Sequence, residues 1–185
     1  MSHPTSDPSE HTQILAQWQA EEARVRGRLR PEAGVARPEQ LAGKTGLEQM
    51  QAMLDGELPP PPIALTLDFT LISVAKGQAV FQGRPLERHY NPLGTVHGGW
   101  FATLLDSALG CAVHTTLEPG RGYTTLEFKV NLVRALNAQV PLVRSIGEVT
   151  HVGRQVATAE ARLVGHDGRL YAHASTTCLI FDARR

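Results

Sequence analysis

From Asn91 to Asp106 the chain reads Asn-Pro-Leu-Gly-Thr-Val-His-Gly-Gly-Trp-Phe-Ala-Thr-Leu-Leu-Asp. This stretch sets a side-chain amide (Asn91), an imidazole (His97) and two glycines (Gly98, Gly99) ahead of an apolar helix. One carboxylate, Asp106, interrupts that helix. Glycines at a helix start expose backbone N–H groups that have no intrahelical acceptor, and the macrodipole adds positive potential there. Such a site accepts an anion, or a carbonyl oxygen on its way to becoming one. A carboxylate in otherwise apolar surroundings is a candidate base or nucleophile. Together these residues point to acyl transfer.

The spacing adds a constraint. Eight residues separate Gly98 from Asp106, which is roughly 12 Å along a helix and a rotation of roughly 80°. An oxyanion donor and a nucleophile must both come within about 3 Å of one reacting centre. One copy of this helix cannot do that. If both groups serve one carbonyl, Gly98 comes from one subunit and Asp106 from another. The expectation is therefore an obligate oligomer with its sites at the interface, two of them in a two-fold dimer.

The surrounding sequence indicates what positions these groups. Helical periodicity runs from Glu10 to Leu29 through Ile14, Leu15, Trp18, Val25 and Leu29, and Pro31, Gly34 and Pro38 break it. A second helix is expected over Thr45–Leu54, stopped by Gly56 and the prolines at 59–62. Strands are expected over Ile63–Ala75, Gln78–Leu86, Tyr123–Val133, Val140–Thr150, Gln155–Val164 and Leu170–Phe181. In the third of these, Thr124, Leu126, Phe128, Val130 and Leu132 share one face. Asp167-Gly168 reads as a tight hairpin turn. Between the second and third strands lies the Gly98–His114 helix, too apolar to face water. This order suits an α+β domain in which an antiparallel sheet wraps one long central helix. Residues 1–60 are expected to form a helical N-terminal extension whose first nine residues are a disordered tail, and residues 61–185 the main domain.

The Asn91–Ala108 segment resembles the hotdog-fold acyl-CoA thioesterases of the phenylacetate-degradation type. Asn91, Gly94, His97, Gly98, Gly99, Asp106, Ser107 and Ala108 fill that family's pattern without insertion, and the resemblance extends over residues 60–181. It implies a hotdog fold and a thioester hydrolase. Asp106 would be nucleophile or general base, and the Gly98 N–H would receive the thioester oxygen. Asn91 would position substrate or water, and His97 would orient the loop. Thr124 would match the strand hydroxyl that holds the attacking water, with Gly99 alongside the substrate. Arg134 and Arg154 lie where relatives bind the CoA phosphates, and guanidinium suits phosphate geometry. Some relatives also carry Ser or Thr one turn beyond the carboxylate, where this chain has Gly110. Relatives assemble as dimers or dimers of dimers.

Composition removes other classes. Lys+Arg and Asp+Glu balance at 18 each, so neither nucleic acid nor a membrane surface is an expected partner. The N-terminus lacks the basic and apolar regions of a secretory signal, and no apolar run is long enough to span a bilayer. Cys111 and Cys178 read as small hydrophobes in a reducing, cytoplasmic setting. The other histidines show no metal-ligand spacing, and no Gly-x-Ser-x-Gly elbow or phosphate loop appears. No cofactor is expected beyond the coenzyme A of the substrate. Two rival readings share the fold: a non-catalytic acyl-CoA-binding protein and an enoyl-thioester hydratase.

Overall fold

A computed structural model describes residues 8–183; of the tail expected over residues 1–9, residues 1–7 lie outside the described residues, while Pro8 and Ser9 already belong to the first helix. Five helices and six strands follow one another as α1 (Pro8–Arg26), α2 (Pro38–Leu41), α3 (Gly46–Leu54), α4 (Pro62–Thr66), β1 (Phe69–Ala75), β2 (Gln78–Gly83), α5 (Gly98–His114), β3 (Arg121–Leu132), β4 (Val143–Val152), β5 (Val156–Gly165) and β6 (Leu170–Asp182). The strands form one antiparallel sheet in the order β1-β2-β4-β5-β6-β3. The sheet wraps α5. Leu104, Leu105, Ala108, Leu109, Ala112 and Val113 of that helix are fully buried, which removes its apolar surface from water.

Close approach of helix to sheet depends on Gly147 of β4. A side chain there would overlap the carbonyl of Ala108, so the helix backbone rests directly on the strand.

The N-terminal helices dock onto this sheet from two directions. α3 begins with a capping box: Thr45 Oγ1 accepts from the Glu48 N–H at 3.2 Å, and Glu48 Oε2 accepts from the Thr45 N–H at 2.7 Å. It buries Met50 and Leu54 in the same core as α5. α1 lies over the sheet face turned away from α5. There Gln82, itself buried, donates to Glu22 at 2.9 Å and accepts from Arg144 Nε at 2.8 Å. Arg144 also pairs with Glu21 at 2.6 Å and stacks 4.4 Å from the Trp18 ring centroid.

Three expectations about elements need correction. Residues 62–66 form the helical turn α4, not the start of a strand, because Pro62 occupies a first-turn position that needs no N–H. Asp68 then takes φ 55°, and β1 starts only at Phe69. The second strand stops at Gly83, ahead of Pro85, rather than running to Leu86. The third is interrupted by a β-bulge: its register against β6 shifts between Thr125 and Glu127. A bulge inserts one residue and reverses which face the earlier side chains occupy. Tyr123 and Thr125, opposite the buried Ile180 and Cys178, therefore join Phe128, Val130 and Leu132 on the inner face, and Thr124 is exposed.

No helix among the described residues is long and apolar enough to cross a membrane.

Candidate active site

His97 is the N-cap of α5 and is anchored through three atoms. Its N–H donates to the His89 carbonyl at 2.7 Å, its carbonyl accepts from Trp100 N–H at 2.9 Å, and its Nδ1 accepts from Gly99 N–H at 2.8 Å. Nδ1 is thereby the lone-pair nitrogen, which leaves Nε2 to carry the proton in the neutral ring. Gly99 thus spends its amide on the cap. The Gly98 N–H is left pointing out of the helix start with no acceptor among the described residues, as an unsatisfied first-turn donor should be.

Asn91 ties down the loop in front. Its Oδ1 accepts from the N–H groups of Leu93 (2.9 Å) and Thr95 (3.3 Å), and its Nδ2 donates to Thr95 Oγ1 at 3.1 Å. Val96 N–H is fixed to the Leu136 carbonyl at 3.0 Å. The structure therefore uses the Asn91 oxygen as a loop fastener.

Beneath the loop lies a support that the sequence did not disclose. His89, buried, stacks on Trp100 with ring centroids 5.4 Å apart, and its Nε2 meets Asp68 Oδ2 at 2.9 Å. Its Nδ1 accepts from Leu86 N–H at 3.2 Å. Trp100 Nε1 donates to the Leu67 carbonyl at 2.8 Å, and Arg88 closes an ion pair on Asp68. The His89 carbonyl that receives His97 is thus held by groups from three separate segments, 67–68, 86–89 and Trp100. Sequence spacing carries no signal for this, since Asp68 and His89 stand 21 positions apart.

Two turns along α5, Asp106 is half-buried beside the Thr125 hydroxyl. Burial raises its pKa above the usual carboxylate value, and Thr125 partly opposes that by stabilising the charged form. Burial first, and the charge of Asp106 second, push the Cys111 thiol up to about 12. The hydroxyl at Asp106 is that of Thr125; Thr124 points the other way because of the bulge. Gly98 and Asp106 remain at opposite ends of a two-turn stretch of one helix.

The two arginines are both exposed and sit at opposite ends of β3. Arg134 lies two residues past the strand's end at Leu132, with its N–H on the Tyr171 carbonyl at 3.1 Å. Arg154 lies in the β4–β5 turn, its carbonyl accepting from Arg121 at 2.9 Å. Within one chain they do not meet. Among the described residues no group of three or more His, Cys, Asp or Glu side chains could hold a metal ion.

The His97 cap should be worth about 0.5–2 kcal/mol, the ordinary contribution of an N-cap acceptor. His97→Ala is expected to lower the denaturation midpoint accordingly. It should reduce turnover far less than a change at Asp106, since the structure commits the ring's Nδ1 to the Gly99 N–H. A melt and a rate assay on the same sample check both.

The sequence model of the thioesterase superfamily matches residues 93–172. A 1,4-dihydroxy-2-naphthoyl-CoA hydrolase from Listeria monocytogenes is 26% identical over 120 residues, covering 65% of this chain and 96% of that protein. A candidate esterase from Pseudomonas aeruginosa is 34% identical over 109 residues, covering 55% and 74%. Among solved structures, a candidate thioesterase related to phenylacetic acid degradation, from Ralstonia eutropha JMP134, is 31% identical with a TM-score of 0.64, covering 70% of this chain and 97% of its own.

Proposed function

The chain belongs to the thioesterase superfamily and is a thioester hydrolase, and we propose that it cleaves acyl-CoA, water and acyl-S-CoA giving a carboxylic acid and free CoA. The thioester oxygen docks on the Gly98 N–H at the start of α5. Asp106 of a partner subunit either attacks the carbonyl carbon, forming a mixed anhydride, or removes a proton from the water that does. Arg134 and Arg154 receive the CoA phosphates. The reaction needs only the thioester and water.

One observation carries this reading. A free oxyanion donor and a half-buried carboxylate of raised pKa occupy the same helix eight residues apart, too far to share a carbonyl unless two chains combine. The free edge of the sheet supports a specific way of combining them. β3 is an edge strand of 12 residues. Leu126 and Leu132 on it are 59% and 54% exposed. A long apolar edge of this kind is a template for pairing with another chain. Thr125 of β3 stands at Asp106, whereas Leu132 lies against Gly98, its Cδ1 3.0 Å from where a Cβ would sit. Two β3 strands paired antiparallel about Phe128 and Lys129 would set Thr125 opposite Leu132 of the copy. That pairing brings each Asp106 toward the other chain's Gly98.

The acyl group is the open variable. A panel of aryl, medium-chain and branched acyl-CoA esters, assayed for thiol release, tests the activity and reads the specificity together. Release of free thiol from at least one ester is expected. Tight binding without release, or hydration of crotonyl-CoA without cleavage, would replace the reading with one of its two rivals.

A further inference from the structure

Gly110 lies one helical turn beyond Asp106, and the space beside it is filled from the sheet. A Cβ built at Gly110 would stand 2.5 Å from Tyr123 Oη. The absent side chain is therefore what admits the phenol. Tyr123 and Thr125 precede the bulge and share the inner face of β3. Two residues along a strand span about 6.6 Å and the four residues from Asp106 to Gly110 about 6 Å along the helix. The two strand hydroxyls thus step in register with Asp106 and Gly110, Thr125 beside the carboxylate and Tyr123 one turn on.

The phenol is fixed as a body but not satisfied as a donor. Its ring leans on His114 at 5.8 Å, and His114 Nε2 is itself held by Gln49 at 3.1 Å. Its hydroxyl meets no hydrogen-bond partner among the described residues. Nor is it sealed away as the orphan Ser145 hydroxyl is. An O–H without a protein partner one helical turn from a half-buried carboxylate is a place for a bridging water. Burial, followed by the charges of Cys111, Cys178 and Asp106, keeps this phenol protonated well beyond the pH at which tyrosine normally ionises.

We propose that Tyr123 is a water-positioning residue, its O–H donated to the water that Asp106 activates. That water's oxygen bonds to the acyl carbon, Asp106 takes its proton, the carbon–sulfur bond breaks, and the departing thiolate recovers the proton as free CoA. In the anhydride route the same water performs the second step. The assignment rests on Asp106 acting as proposed above, and the two can fail separately.

Tyr123→Phe removes the hydroxyl alone. It should lower kcat by about 10–100-fold, the effect of losing one positioned donor, while KM changes less than about twofold and the melting temperature holds. Replacing Tyr123 with 3,5-difluorotyrosine, a more acidic phenol, should move the alkaline limb of the kcat profile to lower pH. A substrate-independent arm follows the Asp106 carboxyl by carbon NMR, where Tyr123→Phe should raise its titration point further. Full kcat in the Phe variant with an unmoved Asp106 titration would show that the ring merely fills the space at Gly110, and would overturn the proposal. Loss of the function reading instead would show as unchanged thiol release in Asp106→Asn.

Discussion

Asp106→Asn is expected to lower kcat by about 10²–10⁴-fold, the range over which a positioned base contributes, without lowering the melting temperature. The substitution is nearly isosteric and keeps an oxygen for the Thr125 hydroxyl, so packing is preserved. Stability should respond in the direction opposite to activity. The folded chain binds the Asp106 proton more tightly than the unfolded chain does, because burial raises its pKa. Any stability from that tighter binding is complete below the unfolded value and lost as pH rises through the folded one. Asp106 is half-buried and without a cationic partner among the described residues, so burial disfavours its charged form. An amide at this position should therefore leave the melting temperature at pH 7 unchanged or higher. In the native protein the same shift places the acid limb of kcat/KM above the ordinary carboxylate value, with activity lost as pH falls through it. Thiol release and thermal melts across pH check all three statements. A carboxylate serving only structure would instead show reduced stability and retained rate.

Gly98→Pro should reduce kcat by about 10²–10³-fold, the effect of removing one oxyanion donor. Three local features make this substitution clean. Gly98 is the first helical residue, where proline's missing N–H leaves no intrahelical bond unmade. His97 already has φ −63° and ψ 138°, the extended conformation that a residue before proline requires. The Cβ that the substitution adds would meet only Leu132 Cδ1, the far end of a flexible side chain, at 3.0 Å. Gly98→Ala brings the same Cβ but keeps the N–H, so it should retain most of the rate. Equal losses in the two variants, measured as kcat with verified folding, would show that crowding at Leu132 rather than the amide is responsible.

The parts of the fold that sequence made legible are those where one period runs undisturbed. Helix α5 carries a continuous apolar face from Trp100 to Val113 and a start marked by two glycines, so its bounds follow from the residues alone. β5 alternates cleanly, and β6 does so from Ala172 onward, so both are equally readable. The bulge at Leu126 was not, because an inserted residue leaves the hydrophobic pattern on either side intact while reversing its phase. That single residue is why the hydroxyl at Asp106 is Thr125 and not Thr124. Residues 63–67 misled for another reason: Ile63, Leu65 and Leu67 alternate like a strand, but Pro62 and the positive φ of Asp68 close them into a turn. The Asp68–His89–Trp100 support and the Tyr123–Gly110 contact depend on chain segments meeting in space. No local periodicity encodes either.

The extension illustrates the same limit. Two helices were legible from Trp18, Val25, Met50 and Leu54, yet which surface they would cover was not. The structure places α1 on the outer face of the sheet through Gln82 and Arg144, polar residues whose burial is compensated by hydrogen bonds and ion pairs with Glu21 and Glu22. Arg144 in an alternating strand looks like an ordinary solvent-facing position until its partners from α1 are known.

The central claim is that each site draws its donor and its acid from different subunits, and mixing inactive variants tests it most directly. Asp106→Asn and Gly98→Pro chains are dissociated, combined in equal amounts and reassembled, and the hybrids are isolated by distinguishable tags. In a two-fold hybrid, one site then joins an intact Gly98 to an intact Asp106, and the other joins the two defects. The account predicts about half the native rate per hybrid dimer, from parents that are each nearly inactive. Verified hybrids no more active than their parents would mean that donor and carboxylate act within one chain, and would contradict the account.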